Sequence, residues 1–308
     1  MPENGDYERY FPTFKQFCGS LSDIKLAAAG RVDALWLLYH EHVRSIIDPM
    51  WDDPNCPCSP GRLVVAIPHA VIRDHLGVTW FERNIASTLA AGRGDHLLTR
   101  LMYHHRASTL ARSLYELQSY DWFDGLLKKL RKDSFSGVAF EMEVLSLLQQ
   151  IPAASAPQVE TNAKGKDFDV LVNYKGHSVP IEAKAKADNT HWNPRTVIDT
   201  LKKASKQLPP GEAGVVFLRI PPTWVGPRLE AEYTDALHEG TRQSRRIEVV
   251  FSVIDKPHLT SESTGNVSTR YHLFRRSAPV SDTPWEMCLL LEELLGFEEF
   301  RLGPRAPF

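Results

Sequence analysis

Residues 165–184 read GKDFDVLVNYKGHSVPIEAK, and the reading of this stretch decides the fold. Phe168–Tyr174 and Ser178–Lys184 have strand character, and Lys175-Gly176 between them reads as a hairpin turn. Asp169 opens the apolar run Val170-Leu171-Val172, while Glu182 and Lys184 close the next one in Ile181-Glu182-Ala183-Lys184. Side chains two apart on a strand point to the same face, so Glu182 and Lys184 share one. Unpaired charge is costly in apolar surroundings, and these residues stand among Val179, Ile181 and Val170. A divalent cation compensates such a gathering, and Mg²⁺ is typically held by one or two carboxylates plus water and substrate phosphate.

Working outward, Ser136–Gln150 has a helical pattern ended by Pro152, and Gln158–Thr161 is a further short strand. After Lys184, Asn193 as N-cap and Pro194 at the first helical position open a helix to Leu208, which Pro209-Pro210-Gly211 stops. Val215–Ile220 reads as a buried strand, Leu229–Thr241 as a helix, and Ile247–Ile254 and Tyr271–Phe274 as further strands. A last helix, Pro284–Leu295, is expected to pack on this core. Helix, three meandering strands, helix, strand is an α/β order.

The first 133 residues have a different texture. Helical patterns cover Ser22–Ile47, Ala70–Leu76, Trp80–Ala91, His96–Leu117 and Trp122–Arg131, with a Pro-, Asp- and Cys-rich loop from Pro49 to Gly61 and a short apolar run at Leu63–Ile67. Two regions follow: a mainly helical one, 1–133, serving specificity or partner binding, and an α/β one, 134–308.

Composition sets the outer limits. With 308 residues and 43% hydrophobic, the chain can bury a sizeable core, and a formal net charge of -2 excludes a wholly basic nucleic-acid coat but not a local basic groove. The start, MPENGDYERYFPTFKQF, does not read as a signal peptide, and apolar runs such as Ala34–Tyr39 fall far short of the roughly 20 residues of a membrane span. Cys18, Cys56, Cys58 and Cys288 are too few for a disulfide scaffold. The expectation is a cytoplasmic protein that does not engage a membrane.

The ordered combination of a helix carrying FEMEVLSLL (140–148), a strand opened by Asp169 and a strand ending in Glu182-Ala183-Lys184 resembles the PD-(D/E)xK superfamily, the restriction-endonuclease-like nucleases. The resemblance spans Ser134 to Ile220. It departs from the family at the proline before the acid, where Phe168 stands. It implies a restriction-endonuclease-like α-β-β-β-α-β core and metal-assisted phosphodiester hydrolysis. Asp169, Glu182, the Ala183 carbonyl and Glu141 would hold Mg²⁺, for which Mn²⁺ substitutes. Lys184 would orient the attacking water or neutralise developing charge. The implied partner is nucleic acid, DNA ahead of RNA, and a homodimer is compatible with it.

Two choices within the set rest on pattern. On α-helical spacing Glu141 falls in the apolar face of Phe140, Val144, Leu147 and Leu148, while Glu143 falls on the opposite, wet side with Ser146 and Gln150, so Glu141 is preferred. Asp169 is preferred to Asp167 because it directly precedes the apolar run; Asp167 reads as a turn residue. Lys186, Arg195, Lys202, Lys203 and Lys206 form a basic flank suited to phosphate contacts, or equally a solvated helix face. Gln207 resembles a Gln that follows the E-x-K strand in several branches, although Gly211 stands where exonuclease-like branches have Tyr.

Other clusters read as structural. Cys56-Pro-Cys58 with His69 or His75 fits no common zinc spacing, Lys128–Lys132 reads as a solvated helix face, and no G-x-S-x-G motif is present. The competing readings are a non-catalytic nucleic-acid-binding module on the same fold and an interaction protein working through its helical half.

Overall fold

The hairpin quoted above forms because its turn is built for it. Lys175 (φ 49°) and Gly176 (φ 82°) are both left-handed, as a two-residue type I′ turn requires, and they pair the strands from Tyr174↔His177 to Val170↔Ile181. In the computed structural model, residues 68–69, 71–73, 75–86, 97–118, 120–132, 135–151, 154, 158–159, 169–224, 227–242, 244–260 and 265–301 are described. The chain divides into two compact units, with the break between Lys132 and Asp133.

In the first unit the described residues are helical. A turn at Val78–Phe81 leads into a π-helical segment, Glu82–Ala86, followed by α1 (Leu97–Leu117) and α2 (Phe123–Lys132). Phe123, Leu126, Leu127 and Leu130 are the buried stripe of α2, while Lys128, Arg131 and Lys132 are exposed at its C-terminal end, where cations suit the helix dipole. The expected helix Ser22–Ile47, the run Leu63–Ile67 and the loop cysteines Cys56 and Cys58 lie outside the described residues.

The second unit is α/β. Helix α3 (Phe135–Leu148) precedes β1 (Gln158–Val159), β2 (Val170–Tyr174) and β3 (His177–Ala185); then come α4 (Pro194–Gln207), β4 (Gly214–Ile220), α5 (Pro227–Arg242), β5 (Ile247–Leu259), β6 (Gly265–Arg275) and α6 (Thr283–Arg301). The six strands form one sheet in sequence order; β3, β4 and β5 are parallel to one another and the other pairs antiparallel. Both expected last strands are longer than the sequence suggested, and they pair from Val249↔Arg275 out to Leu259↔Gly265. No helix among the described residues is long and apolar enough to cross a membrane.

Strand alternation assigns the two faces. Val216, Leu218, Ile220, Val250 and Ile254 pack under α4 and α5, against Val197, Ile198, Leu201, Tyr233 and Leu237. Glu182 pairs with Val216 and Lys184 with Leu218, so both acid and lysine belong to this face. The two covering helices approach closely at Gly240, where a Cβ would stand 2.6 Å from Leu201 Cδ1. Helix α3 covers the opposite face: Arg219, next but one after Phe217, reaches it, with its guanidinium 4.6 Å from the Phe140 ring centre. From Val138 to Leu148 all its side chains but that of Glu141 are buried, which makes α3 a core helix with no wet side.

Candidate functional site

The start of α4 shows how local sequence sets the scaffold. Asn193 has extended backbone (φ -157°, ψ 119°), its Oδ1 accepts from the Arg195 N–H at 2.9 Å, and Pro194 occupies the first turn. This capped helix packs on β3 and, with α5, closes the face that carries Glu182.

Glu182 is 0% exposed. Its Oε1 is ion-paired with Lys184 Nζ, and the lysine side chain is 28% exposed. Its Oε2 accepts from no donor, and its protonated carboxyl makes a side-chain hydrogen bond with Asp169. Asp169 sits on the bend just before β2: its N–H donates to the Ile181 carbonyl (3.2 Å), and its Oδ2 accepts from the Ala183 N–H (2.9 Å). The N–H and carbonyl of one strand residue point to the same side, so the Ala183 carbonyl also looks toward Asp169. Burial, and after it the Asp169 carboxylate, push the Glu182 carboxyl up to about 8; Lys184 pulls the other way without cancelling them. The Glu182 carboxyl therefore keeps its proton at neutral pH, and only above about 8 do two carboxylates face one ammonium.

Glu141 does not join this group. It is half-buried on α3, which lies over the other face of the sheet, and among the described residues no three His, Cys, Asp or Glu side chains converge to hold a metal ion. Glu143 was expected on a wet face; instead it is buried, 7% exposed, because α3 has no wet face. Its Oε2 is ion-paired with Arg219, whose Nε lies 3.3 Å from Asp255 Oδ2; Thr269 Oγ1 donates to Asp255 Oδ1 at 3.0 Å. Burial alone would lower the Arg219 pKa, but Glu143 and Asp255 together raise it above the ordinary value, so the cation is held charged. Sequence reading passed over this network, although a lone Arg inside Val215–Ile220 is itself a signal that buried acids must be near. Asp167 lies outside the described residues.

The expected basic flank divides. Lys186 follows β3 directly, is half-buried, and its N–H donates to the Arg219 carbonyl at 3.0 Å. Its pKa is lowered, first by burial and then by Lys203 and Lys184, so these ammoniums face a common region beside the carboxylates. Arg195, Lys202, Lys203 and Lys206 are exposed on α4, and Gln207 is half-buried at its end.

No family model, curated protein or solved structure matches this chain.

Proposed function

We propose that the chain is a divalent-metal-dependent nuclease of the PD-(D/E)xK type, most simply a DNA endonuclease of restriction, defence or repair acting in the cytoplasm. One observation carries the reading: Glu182 is fully buried beside Asp169, and burial and that neighbour hold its proton up to about 8, a proton that a divalent cation would displace. A fold under no functional demand would place an apolar residue or a second cation there. The order α3, β1, β2, β3, α4, β4 is also that of the restriction-endonuclease-like core.

The donor set fits Mg²⁺. Asp169, Glu182 and the Ala183 carbonyl would hold it, in keeping with the one or two carboxylates this hard cation ordinarily takes from a protein. When bound, it would lower the pKa of a coordinated water and polarise the phosphate. Lys184, partly exposed, would meet a phosphate oxygen or the attacking water and offset charge as it develops. Lys186 and Lys203 would hold neighbouring phosphates of the same strand without reading sequence. Glu141 is left without an assigned step, since the sheet stands between α3 and this face.

Incubation with supercoiled, linear and single-stranded DNA in Mg²⁺ or Mn²⁺, with EDTA as control, tests the reading. Metal-dependent cutting that is lost in both Asp169→Ala and Glu182→Ala supports it. DNA binding without cutting favours the non-catalytic module, and cutting undiminished in both variants excludes this site as its source.

A further inference from the structure

The parallel strands β3, β4 and β5 all end toward the same side of the sheet, and they end unevenly. Pairing of β4 with β5 stops at Ile220↔Ile254, whereas β5 and β6 remain paired through Asp255↔Thr269 to Leu259↔Gly265. Five residue pairs therefore stand beyond the sheet as a two-stranded ribbon, about 17 Å long at the usual rise of a strand. The row Lys184–Leu218–Ser252–His272 puts the ribbon's first pair, Asp255↔Thr269, three residues further along the strands than Lys184, about 10 Å. Two to three strand spacings, about 10–14 Å, separate them across the sheet.

The two faces of the ribbon differ in chemistry. Asp255, Pro257, Leu259, Val267 and Thr269 alternate onto one face, where Asp255 is buried against Arg219. Lys256 and His258 of β5, and Asn266 and Ser268 of β6, alternate onto the other, the face that also carries Glu182 and Lys184 and, just before the ribbon begins, Arg270. Lys256 is opposite Ser268 and Arg270 opposite Ile254, which makes the two cations diagonal neighbours. Arg270 is exposed, Lys256 is half-buried, and no acid shares this face among the described residues of the ribbon. His258 Nε2 and Ser268 Oγ lie 3.0 Å apart between them and add hydrogen-bonding groups.

From this juxtaposition we infer that the β5–β6 ribbon is an arm that enters the major groove of duplex DNA while the backbone passes the Asp169–Glu182 site, an inference that rests on the nuclease reading. A two-stranded ribbon is what the roughly 12 Å major groove of B-DNA admits. The deep, narrow major groove of A-form RNA does not admit it, so the arm selects duplex DNA over duplex RNA. Lys256 and Arg270 supply the positive charge that the phosphate rims call for, and His258 and Ser268 supply groups for base edges.

Fluorescence anisotropy with one sequence as duplex DNA, single-stranded DNA and duplex RNA, in EDTA to prevent cutting, tests it. The parent should prefer duplex DNA. Lys256→Gln with Arg270→Gln should weaken duplex binding on the order of tenfold, and flatten the log–log salt slope by about 1.8. Single-stranded DNA should be affected far less, and Lys256→Arg with Arg270→Lys should restore duplex binding, which separates lost charge from lost fold. Equal binding of duplex DNA by parent and Gln variant overturns the arm, as does equal parent affinity for duplex DNA and duplex RNA. If the parent still cuts plasmid in those cases, the nuclease reading stands without the arm; a parent that neither binds nor cuts DNA overturns both.

Discussion

Two buried clusters of charge occupy opposite faces of the same few strands, and they are put together differently. On the α3 face, Arg219 is held between Glu143 and Asp255, and Thr269 takes up a further oxygen. On the α4–α5 face, Lys184 is paired with Glu182, and burial together with Asp169 holds the Glu182 proton up to about 8. The first cluster holds its cation charged by surrounding it with acids. The second keeps one of its two carboxyls protonated up to about 8, beside a lysine that is 28% exposed. Buried charge of the first kind braces a fold, and buried charge of the second kind calls for a ligand.

Removing the cation of the closed cluster should have the largest effect on stability. Arg219→Met leaves Glu143 and Asp255 buried without a counter-ion and should cost about 3–5 kcal/mol in urea unfolding. Replacing Glu143, Arg219 and Asp255 together by apolar residues should cost much less, because no uncompensated charge remains. If Arg219→Met melts like the parent, the two clusters do not differ in the way described.

The open cluster should respond to pH instead. The Glu182 carboxyl stands at about 8 in the fold, against 4.5 for an ordinary glutamate side chain. The metal-free fold therefore holds this proton more tightly than the unfolded chain. Its contribution to stability is complete below about 4.5 and is lost as pH rises through about 8. A metal-free melting series should fall across that window by an amount on the order of a few kcal/mol, and Glu182→Gln should flatten it. A melting temperature that rises from pH 5 to 8.5 in the parent, relative to Glu182→Gln, would contradict the sign.

The smallest effect is expected on the surface of α4. Lys202→Ala with Lys206→Ala should leave stability within about 0.5 kcal/mol of the parent, since both are exposed. The pair should lower the salt dependence of DNA binding by about one phosphate contact each. A salt titration that overlays the parent's would make this stretch an ordinary solvated helix face.

Much of the second unit was legible because the rules involved are local. The turn at Lys175-Gly176, the cap at Asn193-Pro194 and the strands around Asp169 and Glu182 each depend on a few adjacent residues. Glu143 was misread because amphipathic spacing presumes a wet side, and α3 is buried nearly all round. The Arg219 network joins residues 143, 219 and 255, and no window of sequence contains such a pairing. The ribbon was missed for a nearer reason. The sequence TSESTG at 260–265 has the composition of a turn, and only Ile247–Ile254 and Tyr271–Phe274 are apolar enough to be read as strands.

The central claim is that Asp169 and Glu182 form a cation site left incomplete by the protein alone, and calorimetric titration of Mg²⁺ at pH 8 tests it most directly. The parent should bind Mg²⁺ saturably, with affinity rising as pH increases through about 8 and Glu182 loses its proton. Asp169→Asn and Glu182→Gln should each weaken binding at least about tenfold while remaining folded, because each removes one of two carboxylate ligands. A parent that binds no Mg²⁺ or Mn²⁺ with or without duplex DNA, or variants that bind it as tightly as the parent, would contradict the claim.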